Sequence, residues 1–370
     1  GVVARTQLLD GHTTAPVLPG DLEWLRIAYD THDARKSGLE PTKIPSRAGG
    51  DSEGLMVVSS ASIERSAFLA DLRPQQSGGL NAVETLDERL PDQNTEFLAG
   101  NIHIQIVFLE KKDSDSWTDS EKSQVKAGVE FVKMYFEQQF RNLRVNFSSR
   151  TFNANVGWDP IDNALTDEIA DIRPLIDDVM TRMGYTGTRG EYLERVNKFN
   201  NDARVQFVNA DWVFTVFVVD SSHDPDHSFV GRKQVFAQLG GPFMILAFPA
   251  VAPGISNFEQ FFKHAMTAIF WGMPEDKAAA NSCASRSGYL NVLQSNKVVS
   301  SDPQGGTKDC GGDWPDPCIA MFSDMAYGYS GGPCEFTSGQ LGNRDTDRDN
   351  VPDIFDAPPN VIFWGSDIDT

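Results

Sequence analysis

Asp211–Asp220 reads DWVFTVFVVD, a mostly apolar run enclosed by two aspartates. A short run that is rich in β-branched and aromatic residues is typical of a strand covered on both faces. We therefore place this strand at the centre of a sheet. Asn101–Glu110 (NIHIQIVFLE) alternates apolar and polar residues before a continuous apolar end, which predicts a second strand.

Helical signals lie between and beyond these strands. Thr118 is followed three residues later by Glu121, the spacing of a capping box, which predicts a helix to Phe140 with an apolar stripe from Val125 to Phe136. The other predicted elements are a strand at Leu143–Phe152, helices at Thr166–Met183 and Gly190–Phe199, and a strand at Phe243–Phe248. This order predicts an α/β (α+β) fold in which helices pack on a mixed sheet.

Composition divides the chain into three parts. Residues 1–98 are rich in Gly, Pro, Ser and charge, which is typical of an extended N-terminal arm or a pro-segment-like region, with an apolar patch at Gly54–Val58. Residues 99–280 carry the predicted α/β core, and residues 281–370 form a loop-rich C-terminal subdomain. The chain begins at Gly1 without a basic-then-apolar leader, so we expect a mature product from which a targeting segment has been removed.

The charge balance limits the classes of partner. The chain has 52 acidic and 32 basic residues and a net charge of −20. Nucleic acids and anionic membrane surfaces would repel such a protein, so we expect neither as a partner. No apolar run approaches the roughly 20 residues that cross a bilayer, so no membrane span is expected. Solubility and cation binding fit this composition better.

The four cysteines are clustered, which predicts disulfide bonds in an oxidising compartment. They are Cys283, Cys310, Cys318 and Cys334. Three pairings are possible, and Cys283–Cys310 with Cys318–Cys334 is the simplest. Free or metal-bound thiols are the alternative, but the chain contains no C-x-x-C pair of the kind found in zinc ribbons. The protein is therefore expected to be secreted, extracellular or at a cell surface.

Residues 345–356 carry the strongest chemical motif, an oxygen-rich calcium loop. The predicted ligands are the carboxylates of Asp345, Asp347, Asp349, Asp353 and Asp356 and the backbone carbonyl of Val351. Converging carboxylates repel one another unless a cation lies between them. Asn350 stands where glycine usually makes the sharp turn, and Asn tolerates left-handed geometry. Asp356 in place of glutamate makes bidentate ligation less secure. We expect calcium in a structural role.

The segment from Gly254 to Asp276 predicts an amphipathic helix that follows the strand at Phe243–Phe248. Ser256 or Asn257 is the expected N-cap. His264 and Ala268 are one turn apart and therefore share a face. A lone histidine on such a helix is most simply a surface residue or a satisfied core residue.

This strand and helix resemble the core of secreted bacterial zinc metallopeptidases of the zincin (metzincin) type, whose helix carries H-E-x-x-H. The resemblance spans roughly residues 100–357 and includes Cys318–Met321, which resembles a Met-turn, and the acidic loop after Gly342. It implies a zincin-like fold. By this resemblance the degenerate site positions are His264 for the first zinc ligand, Ala265 for the general base, Ala268 for the second histidine and Glu275 for the third ligand.

These positions are insufficient for the family's chemistry. A catalytic zinc needs three protein ligands and an open position for water. None of the six histidines follows His264, so no later histidine can complete the set. Loss of the base alone would remove about 10²–10⁴ in rate. His223 and His227 in HDPDH have helical spacing, but Pro225 favours a loop. We expect no zinc and no hydrolysis by this mechanism.

Three functions stay open from the sequence. The favoured hypothesis is a secreted, calcium-binding, non-catalytic metallopeptidase homologue with a structural or binding role, using a protein partner or self-association. The alternative is a zinc endopeptidase whose H-E-x-x-H motif has been inactivated by substitution at positions 265 and 268. A carbohydrate-binding or surface-adhesion module that reached a similar pattern independently is the third.

Overall fold

The structure is a computed structural model. It describes residues 55–58, 95–111, 117–165, 168–186, 192–206, 210–249, 251–252, 255–256, 258–275, 285–294, 298–299, 308–309, 318–320, 332–346, 348 and 350–355.

A mixed sheet lies at the centre of the fold. Its strands are β1 (Leu55–Val58), β2 (Asn101–Lys111), β3 (Asn146–Val156), β4 (Trp212–Asp220), β5 (Val235–Gln238) and β6 (Phe243–Phe248). Five of them, β2 to β6, form the core sheet, and the four-residue β1 adds to its edge; the order is β1-β5-β6-β4-β2-β3. Neighbouring strands are parallel except β5 and β6, which are antiparallel. The predicted central strand β4 lies inside the sheet, between β2 and β6.

Helices cover both faces of the sheet. The α-helices in the described ranges are α1 (Asp119–Gln139), α2 (Arg173–Arg182), α3 (Tyr192–Gln206), α4 (Phe258–Ile269) and α5 (Glu335–Gln340). Residues Glu168–Ile172 form a turn of π-helix before α2. α1 and α4 share one hydrophobic cluster with the sheet, and α2 and α3 share the other.

Alternation along β4 shows why both faces need a helical layer. Phe214 and Val216 belong to the cluster with α1 and α4, whereas Phe217 and Val219 belong to the cluster with α2 and α3. Successive side chains of a strand point to opposite faces, so a strand that is apolar throughout is buried on both. The α/β prediction and the two-sided burial of this strand are confirmed.

The predicted start of α1 is also confirmed. The Thr118 hydroxyl accepts a hydrogen bond from the Glu121 amide at 3.2 Å, and the Glu121 carboxylate accepts one from the Thr118 amide at 2.9 Å. This reciprocal pair satisfies two amide donors at the helix N-terminus that have no intrahelical acceptor.

Two predicted elements have different bounds in the structure, and one strand was not predicted. β3 begins at Asn146 rather than Leu143, because Arg141–Leu143 form a 3₁₀ turn that ends with Arg144 at φ 52°. The helix expected to end at Phe199 continues to Gln206. The short strand β5 was not predicted; its four buried residues are too few to give a clear sequence pattern.

The described C-terminal segments pack against the same core as α1 and α4. Ile319, Leu341 and Ile354 all belong to that hydrophobic cluster. The Leu98 amide donates to the Leu341 carbonyl at 2.9 Å, and Phe97 is already buried there. Four small strands, Arg286–Ser287 with Val292–Leu293 and Val298–Val299 with Lys308–Asp309, form two hairpin-like pairs in this part.

The disulfide-bonded C-terminal part expected from the cysteine cluster is not found in the described residues. Cys318 and Cys334 are both buried thiols and are not joined to each other. Their sulfurs make hydrogen bonds with Thr337 instead, and the Cys334 thiol also donates to Glu275. Cys283 and Cys310 lie outside the described residues, so the predicted Cys283–Cys310 pair stays a prediction. Within the described ranges, no helix has the length and hydrophobicity needed to cross a membrane.

Candidate functional site

Helix α4 carries the residues that the resemblance placed in a catalytic site. It follows β6 and the short pair Val251–Ala252 with Ile255–Ser256, and it lies almost wholly within the protein. Ser256 precedes its first residue by two positions, and Asn257, the other predicted N-cap, lies outside the described residues. The helix lies between the sheet and α1, which explains why its exposed surface is so small.

His264 is buried in this helix, with 1% of its surface exposed. Its Nδ1 atom lies 2.8 Å from the carbonyl oxygen of Ile319. A carbonyl oxygen only accepts hydrogen bonds, so Nδ1 must carry the proton and donate it. Burial lowers the pKa of His264 to about 4, although the bond to Ile319 acts in the opposite direction. The imidazole is therefore neutral at pH 7 and fixed by the chain segment 318–320.

Positions 265 and 268 lie in the core. Ala265 and Ala268 are 0% and 2% exposed and belong to the hydrophobic cluster between α4 and the sheet. The Ala268 carbonyl accepts the Gly240 amide at 2.9 Å, which ties this turn of the helix to the loop before β6. These two side chains cannot bind a metal or activate water, and they are closely covered. The residues of α4 therefore cannot form the zinc site that the resemblance would imply.

Glu275, the position of the third ligand in the resemblance, belongs to a different group of side chains. In the part of the chain that the structure describes, Glu275, Cys318 and Cys334 are the metal-ligating side chains that come together as a group of three, with ligand atoms within 4.8 Å of one another. His264 is not in this group. The segment 318–320 contacts both sites: the Ala320 carbonyl accepts a hydrogen bond from the Glu275 amide at 3.0 Å, and the Ile319 carbonyl accepts one from His264 at 2.8 Å.

The carboxylate of Glu275 is the centre of this buried group. Its Oε1 atom accepts hydrogen bonds from Thr337 Oγ1 at 2.8 Å, Cys334 Sγ at 2.9 Å and Gln294 Nε2 at 3.1 Å. Glu275 is fully buried. Burial, followed by the neighbouring Cys334 sulfur, raises the pKa of the Glu275 carboxyl to about 9. A negative charge here is therefore disfavoured unless a compensating charge accompanies it.

Backbone amides point at both sulfurs. The Cys334 amide donates to Cys318 Sγ at 3.0 Å, and the Thr337 amide donates to Cys334 Sγ at 3.4 Å. Cys334 is the N-cap residue of α5, which explains the second bond. The pKa of Cys334 is lowered to about 5, first by hydrogen bonding from the Cys318 thiol, whereas burial raises that of Cys318. Cys334 and Glu275 share one proton across their 2.9 Å hydrogen bond, so ionisation of this thiol leaves the proton on the Glu275 carboxyl.

The acidic loop is only partly described, and its described residues make an ordered turn. Asp345 accepts hydrogen bonds from the Arg348 amide at 2.6 Å and from the Asn350 amide at 2.9 Å. The Asp353 carboxylate accepts hydrogen bonds from the amide and the hydroxyl of Thr346, both at 2.7 Å. Asn350 has φ 73°, so its predicted left-handed geometry is confirmed. Val351 is described, whereas Asp347, Asp349 and Asp356 lie outside the described residues.

The HDPDH segment is a loop, as Pro225 predicted. His223 Nε2 contacts Asp159 at 3.2 Å, whereas His227 Nδ1 contacts the Ser221 carbonyl at 2.8 Å. The two imidazoles contact separate partners. A cavity of about 300 Å³ opens beside this loop, lined by residues 161–162, 224–226 and 228–230, none of which belongs to α4.

The group formed by Glu275 and the two cysteines was missed by sequence reasoning. Glu275 was assigned to the helix site, and the cysteines were assigned to disulfides. The three residues are separated by 43 and 16 positions in the chain, with no motif that joins them. Their proximity depends on how the segment 318–320 packs against α4, which no local pattern encodes.

Comparison with known proteins gives no family assignment: no protein-family model matches the chain, and no curated protein matches it.

Proposed function

We propose that this chain is a calcium-binding, non-catalytic homologue of zincin-type metallopeptidases, secreted, with a structural or binding role. The observation that carries the proposal is the state of His264. This histidine is buried and donates its Nδ1 proton to the Ile319 carbonyl, while buried alanines occupy the next two positions that hydrolysis would need.

The chemistry of peptide hydrolysis sets the requirements. Water must reach a metal held by three protein ligands, and a carboxylate must take the proton of that water. Of the three helix positions that the resemblance assigns to zinc binding and catalysis, only position 264 carries a side chain of ligating type, and the 1% exposure of His264 keeps water away. The helix instead supplies packing surface and one hydrogen bond to the segment 318–320. A helix of this kind supports a scaffold role.

Calcium binding is supported by the described residues of the acidic loop. Asp345 and Asp353 are already oriented by four backbone and side-chain donors, so their remaining lone pairs have fixed directions. A loop that is ordered before the cation arrives loses less conformational entropy on binding. Calcium prefers carboxylate and carbonyl oxygens of this kind.

A binding role for the arm is supported by β1. This strand pairs in parallel with β5, from Leu55 opposite Val235 to Val58 opposite Gln238. β5 otherwise has β6 as its one neighbour in the sheet, so the arm occupies a sheet edge. Strand addition at an edge is a common mode of binding extended polypeptide. An arm exchanged between copies would give self-association.

The test combines proteolysis with restoration of the missing groups. The full chain, supplied with calcium and zinc, is incubated with casein, alongside the double variant A265E/A268H. We expect no cleavage by either protein, because the restored side chains would enter a closed core. Cleavage by the unchanged chain would overturn the proposal. Cleavage by the double variant alone would establish the alternative, an endopeptidase inactivated by substitution at these positions.

A further inference from the structure

We propose that Glu275, Cys318 and Cys334 form a binding site for a thiophilic divalent cation of the zinc type, separate from the helix position of His264. This inference is independent of the proposed function, because the site lies outside α4 and supplies no group to a hydrolytic reaction. It gives the two buried cysteines a role other than a disulfide.

The ligand types and their separations fit such a cation. Zinc binds cysteine sulfur at about 2.3 Å and carboxylate oxygen at about 2.0–2.2 Å, so two sulfurs on one tetrahedral ion lie about 3.8 Å apart. The Oε1 and sulfur atoms of the three residues already lie within 4.8 Å of one another. Small side-chain rotations would bring all three to one ion. A water molecule or Thr337 Oγ1 would complete four-coordination.

The electrostatics of the group favour a cation. Three of the hydrogen-bond partners of Glu275 Oε1 are the side chains of Thr337, Gln294 and Cys334, none of which carries a positive charge. Burying a carboxylate and two thiolates with such partners is unfavourable. A bound dication would offset most of that charge.

The surrounding hydrogen bonds fit a metal site as well. Backbone amides donate to both sulfurs, from Cys334 to Cys318 and from Thr337 to Cys334. Hydrogen bonds of this kind favour the thiolate, which is the metal-binding form of cysteine. Gln294 would orient the ligating carboxylate from outside, a support that metal sites commonly use.

The position of the site indicates a structural role. Glu275 follows α4, and Cys334 is the N-cap of α5. Cys318 begins the segment 318–320, whose Ile319 carbonyl accepts the hydrogen bond from His264. An ion held by all three would add a direct link between three chain segments that already meet through hydrogen bonds. Structural metal sites of this kind contribute directly to folding free energy.

The experiment uses the full chain, purified under reducing conditions and freed of metal by chelation. One equivalent of Zn²⁺ is added, and the bound metal is counted by native mass spectrometry. Co²⁺ serves as a second probe through its sulfur-to-metal charge-transfer band. We expect one zinc per chain and a higher Tm. The double variant C318S/C334S should lose the band and the zinc, and E275Q should bind at least tenfold more weakly.

Two control variants locate the ion. D345N alters the acidic loop, and H223Q alters the HDPDH loop; both should keep the thiolate-to-cobalt band. Zinc binding that survives C318S/C334S would overturn the proposal, and so would loss of zinc in D345N or H223Q with the thiols intact and the chain folded.

Alkylation of the unchanged chain provides a test that needs no variant. Bound Zn²⁺ should protect Cys318 and Cys334 from iodoacetamide at least tenfold, as read by peptide mass spectrometry. Equal alkylation with and without zinc would overturn the proposal. The same peptides, isolated without reductant, report disulfides: either residue in a disulfide in the native protein would also overturn it. Casein cleavage would contradict the proposed function and leave this site untouched.

Discussion

The Nδ1 atom of His264 and the carbonyl oxygen of Ile319 lie 2.8 Å apart inside the protein. This bond joins the middle of α4 to a segment 55 residues later in the chain, beside the group of Glu275, Cys318 and Cys334. In this bond the imidazole N–H donates to a backbone carbonyl. The residue that the resemblance assigned to zinc thus holds the C-terminal part against the core.

Removing the imidazole should destabilise the protein. H264A leaves the buried Ile319 carbonyl without this donor and leaves a cavity, so we expect a loss of about 2–4 kcal/mol in the free energy of unfolding. Urea unfolding followed by circular dichroism measures it. The control is H223Q, because the His223 side chain is 47% exposed and should change stability by less than about 0.5 kcal/mol. Equal stabilities of H264A and H223Q would contradict the structural role.

Stability should also fall in mild acid through the buried histidines. Burial lowers the pKa of His264 and that of His103 to about 4, from the usual 6.5. Between pH 6.5 and pH 4 the unfolded chain binds protons that the folded chain does not, so acid favours unfolding. At pH 5 each histidine costs about 2 kcal/mol of the stability present above pH 7.

A comparison of variants isolates this effect from the carboxylates, which also titrate in acid. H264Q should be less stable than the unchanged chain at pH 7.5, and the gap should narrow by about 2 kcal/mol at pH 5. Urea unfolding at a series of pH values gives both curves. Parallel curves would mean that His264 is not held neutral by the fold.

The sheet was largely predictable, because its strands carry strong local signals. β4 and β6 are each apolar along almost their whole length, and the observed bounds Trp212–Asp220 and Phe243–Phe248 lie within one residue of the prediction. The start of α1 was fixed by Thr118 and Glu121 alone. Such elements are specified by residues within one window of the chain, so they can be identified without tertiary contacts.

The candidate sites were less predictable, because they depend on contacts between distant segments. The sequence indicated that α4 lacks ligands, but not that Ala265 would be covered by the core. Two neighbouring cysteines form a disulfide only if their sulfurs bond to each other, and here Cys318 and Cys334 are separate thiols that contact Thr337 and Glu275. The position of the segment 318–320 decides both outcomes. No periodicity or spacing in residues 276–317 encodes that position.

Restoring a glutamate at position 265 should destabilise the protein strongly. Ala265 is 0% exposed, so A265E would place a carboxyl group in an apolar cluster and overpack it. We expect a loss of at least about 3 kcal/mol, measured by thermal and urea unfolding. The matched control is A170E, since Ala170 is exposed and should tolerate the change within about 0.5 kcal/mol. A fully stable A265E would indicate an open cleft above α4.

Calcium binding by the acidic loop should depend on the left-handed backbone geometry of Asn350. Its φ of 73° suits glycine or asparagine, whereas a β-branched residue is strained there. N350V should therefore weaken calcium binding about tenfold by calorimetry, because the turn must be strained for Asp345 to hold the amide of this residue. N350G serves as the matched control and should keep the affinity within threefold. D345N should abolish calcium binding in either background. Similar affinities of N350V and N350G would contradict the role of this turn.

The pairing of the arm with the sheet can be tested by blocking β1 alone. Met56 and Val57 are adjacent, so their amides point to opposite sides of the strand, and one of them faces β5. The double substitution M56P/V57P therefore removes a ladder donor whichever residue provides it. We expect the amides of Val235–Gln238 to exchange hydrogen faster, as read by hydrogen–deuterium exchange and mass spectrometry.

Release of the arm should also change the behaviour of the molecule in solution. An uncovered edge strand is a template for pairing with another chain, so M56P/V57P should self-associate more at high concentration, measured by light scattering after size exclusion. The proline pair Q75P/Q76P, placed elsewhere in the arm, is the control for added proline. Faster exchange at β5 without any increase in the molecular mass measured by light scattering would mean that the edge strand is exposed but too short to pair with another chain. Unchanged hydrogen exchange at β5 would mean that β1 does not pair with this edge strand. The arm would then have to contact the protein at another place.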